Sequence, residues 1–158
     1  MGIKNQSVTQ GRTTLLDAVN VLLANIGEQP INSLETEQID ESKQAERTIL
    51  EFHKEGQTKG WSWNTEFQYP FQKDSLTKEI TVPENILQFA LDPYLYAGRY
   101  QLRGQRIYDL QERRYIMEET VDQIKADVIW LLPWDDVPEA YNRWITIRAS
   151  RVFTARVL

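Results

Sequence analysis

The sequence predicts an α+β fold: a helical bundle built from N- and C-terminal helices, packed beside an antiparallel β-sheet from the middle of the chain. Three observations carry that reading. Apolar residues recur at three- and four-residue spacing over residues 14–26, 40–59 and 137–157, the stripe of amphipathic helices. Between residues 61 and 132 they alternate with polar residues instead, as in half-buried strands. Helices that bracket a run of strands favour antiparallel pairing over a doubly wound sheet.

The first helix takes its stripe from Leu15, Leu16, Val19, Leu22, Leu23 and Ile26. Thr14, with Asp17 three residues on, is a capping-box start. Gly27 can adopt the left-handed conformation that ends a helix, and Pro30 forbids continuation. Ahead of it, residues 1–12 are polar and are expected to form a flexible arm. The second helix is expected from about Asp40 to Lys59, with Ala45, Ile49 and Phe52 inward, Leu50 widening the stripe, and His53 on the polar side. Gly56 should weaken its last turn by ~1 kcal/mol relative to Ala, and Gly60 should end it.

The middle is expected to be strands. Trp61, Trp63, Thr65, Phe67 and Tyr69 form one face of a strand ending at Pro70. Glu79–Val82 makes a short strand stopped by Pro83, and Ile86–Leu91 another. Tyr100–Arg103 and Arg106–Tyr108 flank Gly104-Gln105, a hairpin with Gly at its first central position. That register sets Arg103 opposite Arg106, mildly unfavourable for like charges. Ile124, Ala126, Val128, Trp130 and Leu132 line one face of a last strand, and Ile129 and Leu131 make its second half apolar on both sides, as in a central or covered strand. In the closing helix, Asp136 and Glu139 suggest a capping box, Pro138 suits the first turn, and Tyr141, Trp144, Ile145, Ala149, Val152 and Phe153 form the stripe. No Gly, Asn or Pro ends that helix before Leu158, so either a truncated chain or completion by further residues is expected.

At 158 residues the chain suits a single domain, 1–158, burying ~68–70% of its unfolded surface. The absence of cysteine excludes disulfides, thiolate metal sites and Cys nucleophiles. No run approaches the ~20 apolar residues of a membrane helix, and residues 1–14 lack a signal-peptide core. A net charge of −5 opposes a general nucleic-acid binder. The charge is uneven: Glu28–Asp92 holds 13 acidic and 6 basic residues, a net of −7. Arg99, Arg103, Arg106, Arg113 and Arg114 face only Asp109 and Glu112 in their stretch, and four arginines follow Glu139 with no further acid. Such polarity either marks complementary contact surfaces or cancels within one monomer.

Catalytic chemistry is poorly provisioned. His53 is the only histidine, no nucleophile-elbow sequence surrounds Ser42 or Ser62, and no GxGxxG or Walker loop is present. Asp135-Asp136 at a helix start caps N–H groups more readily than it holds a cation. Neither enzyme activity nor a cofactor or metal is expected. Most aromatics fall on inward faces; Tyr94, Tyr96 and Tyr115 lie in loop-like context, and exposed Tyr beside Arg is protein-interface composition. The candidate interface residues are therefore Arg99, Arg103, Arg106, Arg113, Arg114, Arg148, Arg151, Tyr94 and Tyr96. Arg148 and Arg151 share one helical face and are expected to meet acidic surface on a neighbouring copy's second helix or on a partner, the alternative being pairing with Glu41 or Glu46 of the same chain.

Three segments, in order, resemble the tail tubular protein A family, the head–tail adaptors of short-tailed phages. They are Ala18-Val19-Asn20 through Ile26-Gly27-Glu28 to Pro30 and Leu34; Gly60-Trp61-Ser62-Trp63-Asn64; and Val137-Pro138-Glu139 with Arg143-Trp144-Ile145 and Ala149-Ser150-Arg151-Val152-Phe153. The β-rich middle diverges. The resemblance implies a structural virion protein of the tail neck, made in the host cytoplasm. It implies a twelve-fold homo-oligomeric ring between the portal protein and the tail nozzle protein, in some members also carrying fibres or spikes. The ring extends the DNA channel, retains packaged DNA and passes it at ejection, with no membrane involved. The resemblance also implies a further acidic C-terminal tail in family members, which is expected to be missing after Leu158 here. Two other readings are a DNA-binding accessory module using the arginines at 99–114, with a steep salt slope, and an enzyme of unrecognised type.

Overall fold

The computed structural model describes residues 11–35 and 39–158; residues 1–10 of the expected arm lie outside them. The fold is α+β. The chain divides into two compact units, a helical one made of the residues through Gly56 with Leu132–Leu158, and a β-rich one spanning Gln57–Leu131.

In the helical unit, α1 spans Leu15–Asn25 and starts on the capping box, with the Thr14 side chain accepting from Asp17 N and the Asp17 side chain from Thr14 N. It stops where Gly27 turns left-handed (φ 78°): Gly27 N donates to Ala24 O and Glu28 N to Leu23 O, the bond pair of a Schellman cap. Asn20 then clamps the following loop, exchanging hydrogen bonds of 3.0 and 2.9 Å with Ile31 O and N. Helix α2 spans Asp40–Gln57 and α4 spans Glu139–Val157, preceded by a 3-10 turn at Trp134–Asp136. Leu22, Leu23, Ala45, Ile49, Ile145, Ala149 and Phe153 are fully buried.

Three expectations for this unit are corrected. His53 is buried, not on a polar face: its Nε2 lies 2.9 Å from Leu132 O, and its ring sits beside Trp134 and Tyr141. The inward face of α2 is broader than its apolar letters because Ser42 and Thr48 are buried too, each turning its hydroxyl onto an α2-side carbonyl, Ile39 O or Gln44 O. Nor does Asp136 cap α4 with Glu139. Pro138 is the N-cap without a side-chain bond, and Glu139 instead accepts from Thr13 N (2.8 Å) and Thr13 Oγ1 (2.5 Å). Arg12 and Trp134 complete that seam through Asp135 O and Thr13 O. Burial opposes charge on the Glu139 carboxyl, but the bonds from Thr13 and Arg143 together hold it below its ordinary range.

In the β-rich unit, β1 (Thr65–Gln72), β2 (Ile86–Leu91) and β5 (Gln123–Trp130) form an antiparallel sheet in the order β1-β5-β2, so of the two places its two-sided apolar pattern allowed, central or covered, β5 takes the central one. β3 (Tyr100–Arg103) and β4 (Arg106–Asp109) form a separate hairpin, after a single helical turn, α3, at Pro93–Tyr96. Gly104 has φ 62° while Gln105 is not left-handed, as a type II′ turn requires. Phe71, Ile80, Val82, Ile107, Met117, Ile124, Ala126 and Val128 make the core.

The first strand departs from expectation at both ends. Residues 61–64 form a turn, not a strand, because Asn64 ties them down. Beyond it, a bulge at Phe67-Gln68 breaks the alternation: Gln68 has φ 55°, and its N–H donates to Asp127 Oδ1 at 2.9 Å. Phe67, expected inward, is consequently 76% exposed. Pro70 does not end the strand; β1 is an edge strand, where a missing N–H is tolerated. Glu79–Val82 runs beside β4, but only Thr81 forms a formal bridge, to Arg106.

Candidate functional site

The buried polar groups of the β-rich unit serve its backbone. Asn64, 1% exposed, uses all of its amide: Oδ1 accepts from Trp61 N (2.7 Å), and Nδ2 donates to Gln57 O and Trp130 O (3.0 Å each). Gly60 is left-handed (φ 77°), and a Cβ there would meet Ile129 Cδ1 at 2.8 Å. The Gly-Trp-Ser-Trp-Asn string is thus a junction that only Gly and Asn can close.

Asp109 plays the same part at the end of the hairpin. It is fully buried, and its carboxylate accepts from Arg99 Nε (3.0 Å) and Nη2 (2.8 Å) and from Gln111 N and Glu112 N. Arg99 reaches Glu118 as well, at 3.0 Å. The Arg99 guanidinium, aided by those two N–H groups and opposed by burial, holds the Asp109 carboxyl below the ordinary range. Arg99 is thereby committed to holding the loop.

The other candidate arginines are brought together in part. Arg103 and Arg106 face each other across the turn as expected, but each lies flat on a ring, Arg103 over Tyr108 (3.8 Å) and Arg106 over Tyr115 (3.7 Å). Arg106 also pairs with Glu79 at 3.2 Å. Stacking and that carboxylate offset the like-charge opposition. Arg113 (φ 58°) and Arg114 sit at an exposed turn closed by backbone bonds between Asp109 and Arg114. Tyr94 is 94% exposed at the tip of α3, whereas Tyr96 is half-buried and its hydroxyl accepts from Lys125 N.

In the helical unit, Arg148 lies over the Trp144 and Phe52 rings, at 4.7 and 5.2 Å, rather than beside Glu41 or Glu46. Arg151 is exposed. The ion pairs formed by this helix are Arg143–Glu139 and Arg156–Glu51. Among the described residues no group of His, Asp and Glu converges to hold a metal ion, and no helix is long and apolar enough to cross a membrane.

A family model described as "Tail tubular protein" matches residues 16–158. The chain belongs to the tail tubular protein family. No curated protein sequence matches it. A tail tubular protein is a structural component of the phage virion tail and assembles with other tail proteins. For this tail tubular protein, sequence reasoning found the exposed Arg and Tyr residues but missed Asn20, Asn64 and Asp109 as organisers. The signal for Asp109 was available: Asp at the first position of a polar turn caps the next backbone N–H groups. For Asn64 two partners, Trp61 N and Gln57 O, are local, but nothing local marks the third, Trp130 O, which is 66 residues away.

Proposed function

We propose that this tail tubular protein is a head–tail adaptor subunit, present as a twelve-fold ring between the portal and the tail nozzle. The ring lengthens the DNA channel, retains packaged DNA and passes it at ejection; its outer surface is a platform for fibres or spikes. The observation that carries the reading is the family match across residues 16–158, together with the three ordered segments that resemble the adaptors. The chemistry agrees with it. A conduit must not grip phosphate, and the chain carries a net charge of −5. Arg99, just ahead of the hairpin, is spent on Asp109 and Glu118, which counts against the DNA-binding reading. A closed ring needs two different faces per copy, and the uneven charge supplies them.

The isolated subunit is expected to be monomeric, because many modest contacts on a preformed platform suffice through multivalency. Cryo-electron microscopy of the virion should find the chain at the neck in cyclic symmetry. Density for it inside the capsid or in the fibres would overturn the assignment. Arg148→Glu with Arg151→Glu tests the second helical surface: near-normal melting with lost portal assembly is expected, and normal assembly would remove those arginines from the interface.

A further inference from the structure

Strands β1 and β2 lie on either side of β5 and are both antiparallel to it. They therefore run the same way, and the loops that follow them leave the sheet at the same end but from opposite edges. Both loops are tied down by an aspartate. After β1, Asp74 Oδ1 accepts from Leu76 N (2.8 Å) and Thr77 N (2.9 Å), and Lys78 N donates to Asp74 O. After β2, Asp92 Oδ1 accepts from Tyr94 N (2.8 Å) and Leu95 N (3.1 Å), and Lys125 N donates to the Tyr96 hydroxyl at 2.7 Å. These held backbones present apolar side chains to solvent: Leu76 is 89% exposed, Tyr94 94% and Leu95 60%. A surface ordered in advance loses little entropy on docking.

Beside the first loop opens a cleft of about 810 Å³, walled by the 73–78 turn and by residues 114–122, with the exposed Ile116 in its lining. Of the large apolar side chains that the β-rich unit exposes, only Phe67 and Leu110 lie outside these loops and the cleft lining. A concentration of that kind marks a contact surface. The rim of the cleft carries Lys73, Lys78 and Arg114 against Glu119 and Asp122, since Glu118 is already paired with Arg99. Residues 85–98 hold a single charged residue, Asp92. The second loop is thus an apolar prong with an acidic base, and the first borders a partly apolar cleft with a cation in excess, a complementary pair. An exposed tyrosine ring also attracts such cations, as Tyr108 and Tyr115 do those of Arg103 and Arg106.

We propose that the Tyr94–Leu95 prong of one copy of this chain seats against Leu76 and Ile116 in the cleft of the next. Prong and cleft leave the same end of the sheet at opposite edges, so copies set side by side around an axis along the strands bring them together at every interface. The two surfaces differ, so the contact is heterologous and repeats head to tail, the arrangement that closes into a ring. Strand pairing is blocked at the β1 edge by Pro70 and the Gln68 bulge, which leaves the loops to make the contact. The inference rests on the ring reading and names the surfaces that make it.

The first test places a photo-crosslinker on the prong, Tyr94→p-benzoylphenylalanine, in assembled tail particles. A dimer-mass adduct mapping to residues 72–78 or 114–122 is expected. An adduct to DNA, to another tail protein, to any other part of a second copy or to no second chain overturns the proposal. In parallel, Tyr94→Ser with Leu95→Ser should lower the yield of assembled particles roughly tenfold or more, as loss of a tyrosine anchor does. Leu76→Ser with Ile116→Ser should do the same from the other side. Both pairs are exposed, so the free subunit should melt as the wild type does; Tyr94→Ser alone repeats the test if a double variant folds poorly. Wild-type yields from these variants sink the contact. Cyclic particles without that adduct leave the ring standing and remove this contact; the adduct in particles without cyclic symmetry keeps the contact and removes the ring.

Discussion

The helical unit and the β-rich unit are stabilised in different ways. In the helical unit burial follows a stripe: Leu22, Leu23, Ile49, Ile145 and Phe153 recur at helical spacing and are fully buried. In the β-rich unit the apolar core is joined by a few buried side chains that satisfy backbone groups outside the ladders, above all Asn64 and Asp109. The contrast has a physical basis. A helix satisfies its own backbone, so its side chains need only be apolar on one side. The short strands and tight junctions of the second unit leave N–H and C=O groups without ladder partners, and buried side chains must supply them.

That comparison can be broken at several points, beginning with the largest effect. Leu22→Ala and Phe153→Ala should each cost ~2–5 kcal/mol, the usual range for emptying a well-packed site, read from denaturant unfolding. A loss below ~1 kcal/mol would mean the stripe packs loosely. Asp109→Ala should cost about 2–3 kcal/mol, because Arg99 keeps Glu118 but loses its buried carboxylate partner and two part-buried N–H groups lose their acceptor. If Asp109→Ala costs no more than a surface substitution, the β-rich unit does not depend on its polar anchors and the comparison fails.

Gly56 sharpens the contrast inside a helix. Propensity alone says Gly56→Ala should stabilise α2 by ~1 kcal/mol. In the folded chain the added Cβ would stand 2.4 Å from Tyr141 Oη, whose hydroxyl donates to His53 O at 2.7 Å. The ring is held from both ends, so the expected outcome is a loss of about 1–3 kcal/mol from overpacking. A raised melting temperature would show that Tyr141 yields.

The smallest effects are those of pH. Burial lowers the His53 pKa, against the pull of its bond to Leu132 O. The unfolded chain therefore takes up that proton at higher pH than the folded one. Stability from the neutral ring is complete above the ordinary histidine range near 6.5 and declines as pH falls through it. His53→Gln should be less stable at neutral pH but flatter between about pH 7 and 5. Asp109 has the opposite chemistry and titrates lower: its depressed carboxyl contributes above the ordinary carboxylate range, and the contribution is lost as pH falls below it. Asp109→Asn should remove that acid-side decline. An unchanged profile in either variant would exclude that group as its source.

What could be read from the sequence follows the same division. Thr14 and Asp17 capped α1, and Gly27 ended it, because each acts within a few residues of itself. Ile86–Leu91, the Gly104-Gln105 hairpin and the central or covered place of β5 were legible for the same reason, as was the opposition of Arg103 and Arg106. His53 was misread because α2 buries Ser42 and Thr48 along with Ala45 and Ile49. A polar residue whose hydrogen-bonding capacity is met by a nearby carbonyl can sit inside, and letters alone do not reveal that carbonyl. Phe67 was misplaced because a bulge shifts the two-residue period by one, and the bulge depends on Asp127, 59 residues away in sequence.

The sequence by itself determined the α+β class, the helical stripes with their caps and stops, the uneven charge and the tail tubular family. The first three depend on local spacing or on composition; the family rested on three ordered segments that resemble it. Tertiary structure decided which polar residues became anchors, why Gly56 and Gly60 must lack a side chain, and which arginines were spent internally. Arg99 is consumed by Asp109 and Glu118, while Arg103 rests on Tyr108 and has no ion pair among the described residues. Those outcomes depend on which groups meet within a few ångströms, whether across a hairpin, as Arg103 and Tyr108, or across the sheet, as Asn64 and Trp130, a geometry set by packing and backbone satisfaction rather than by residue type alone.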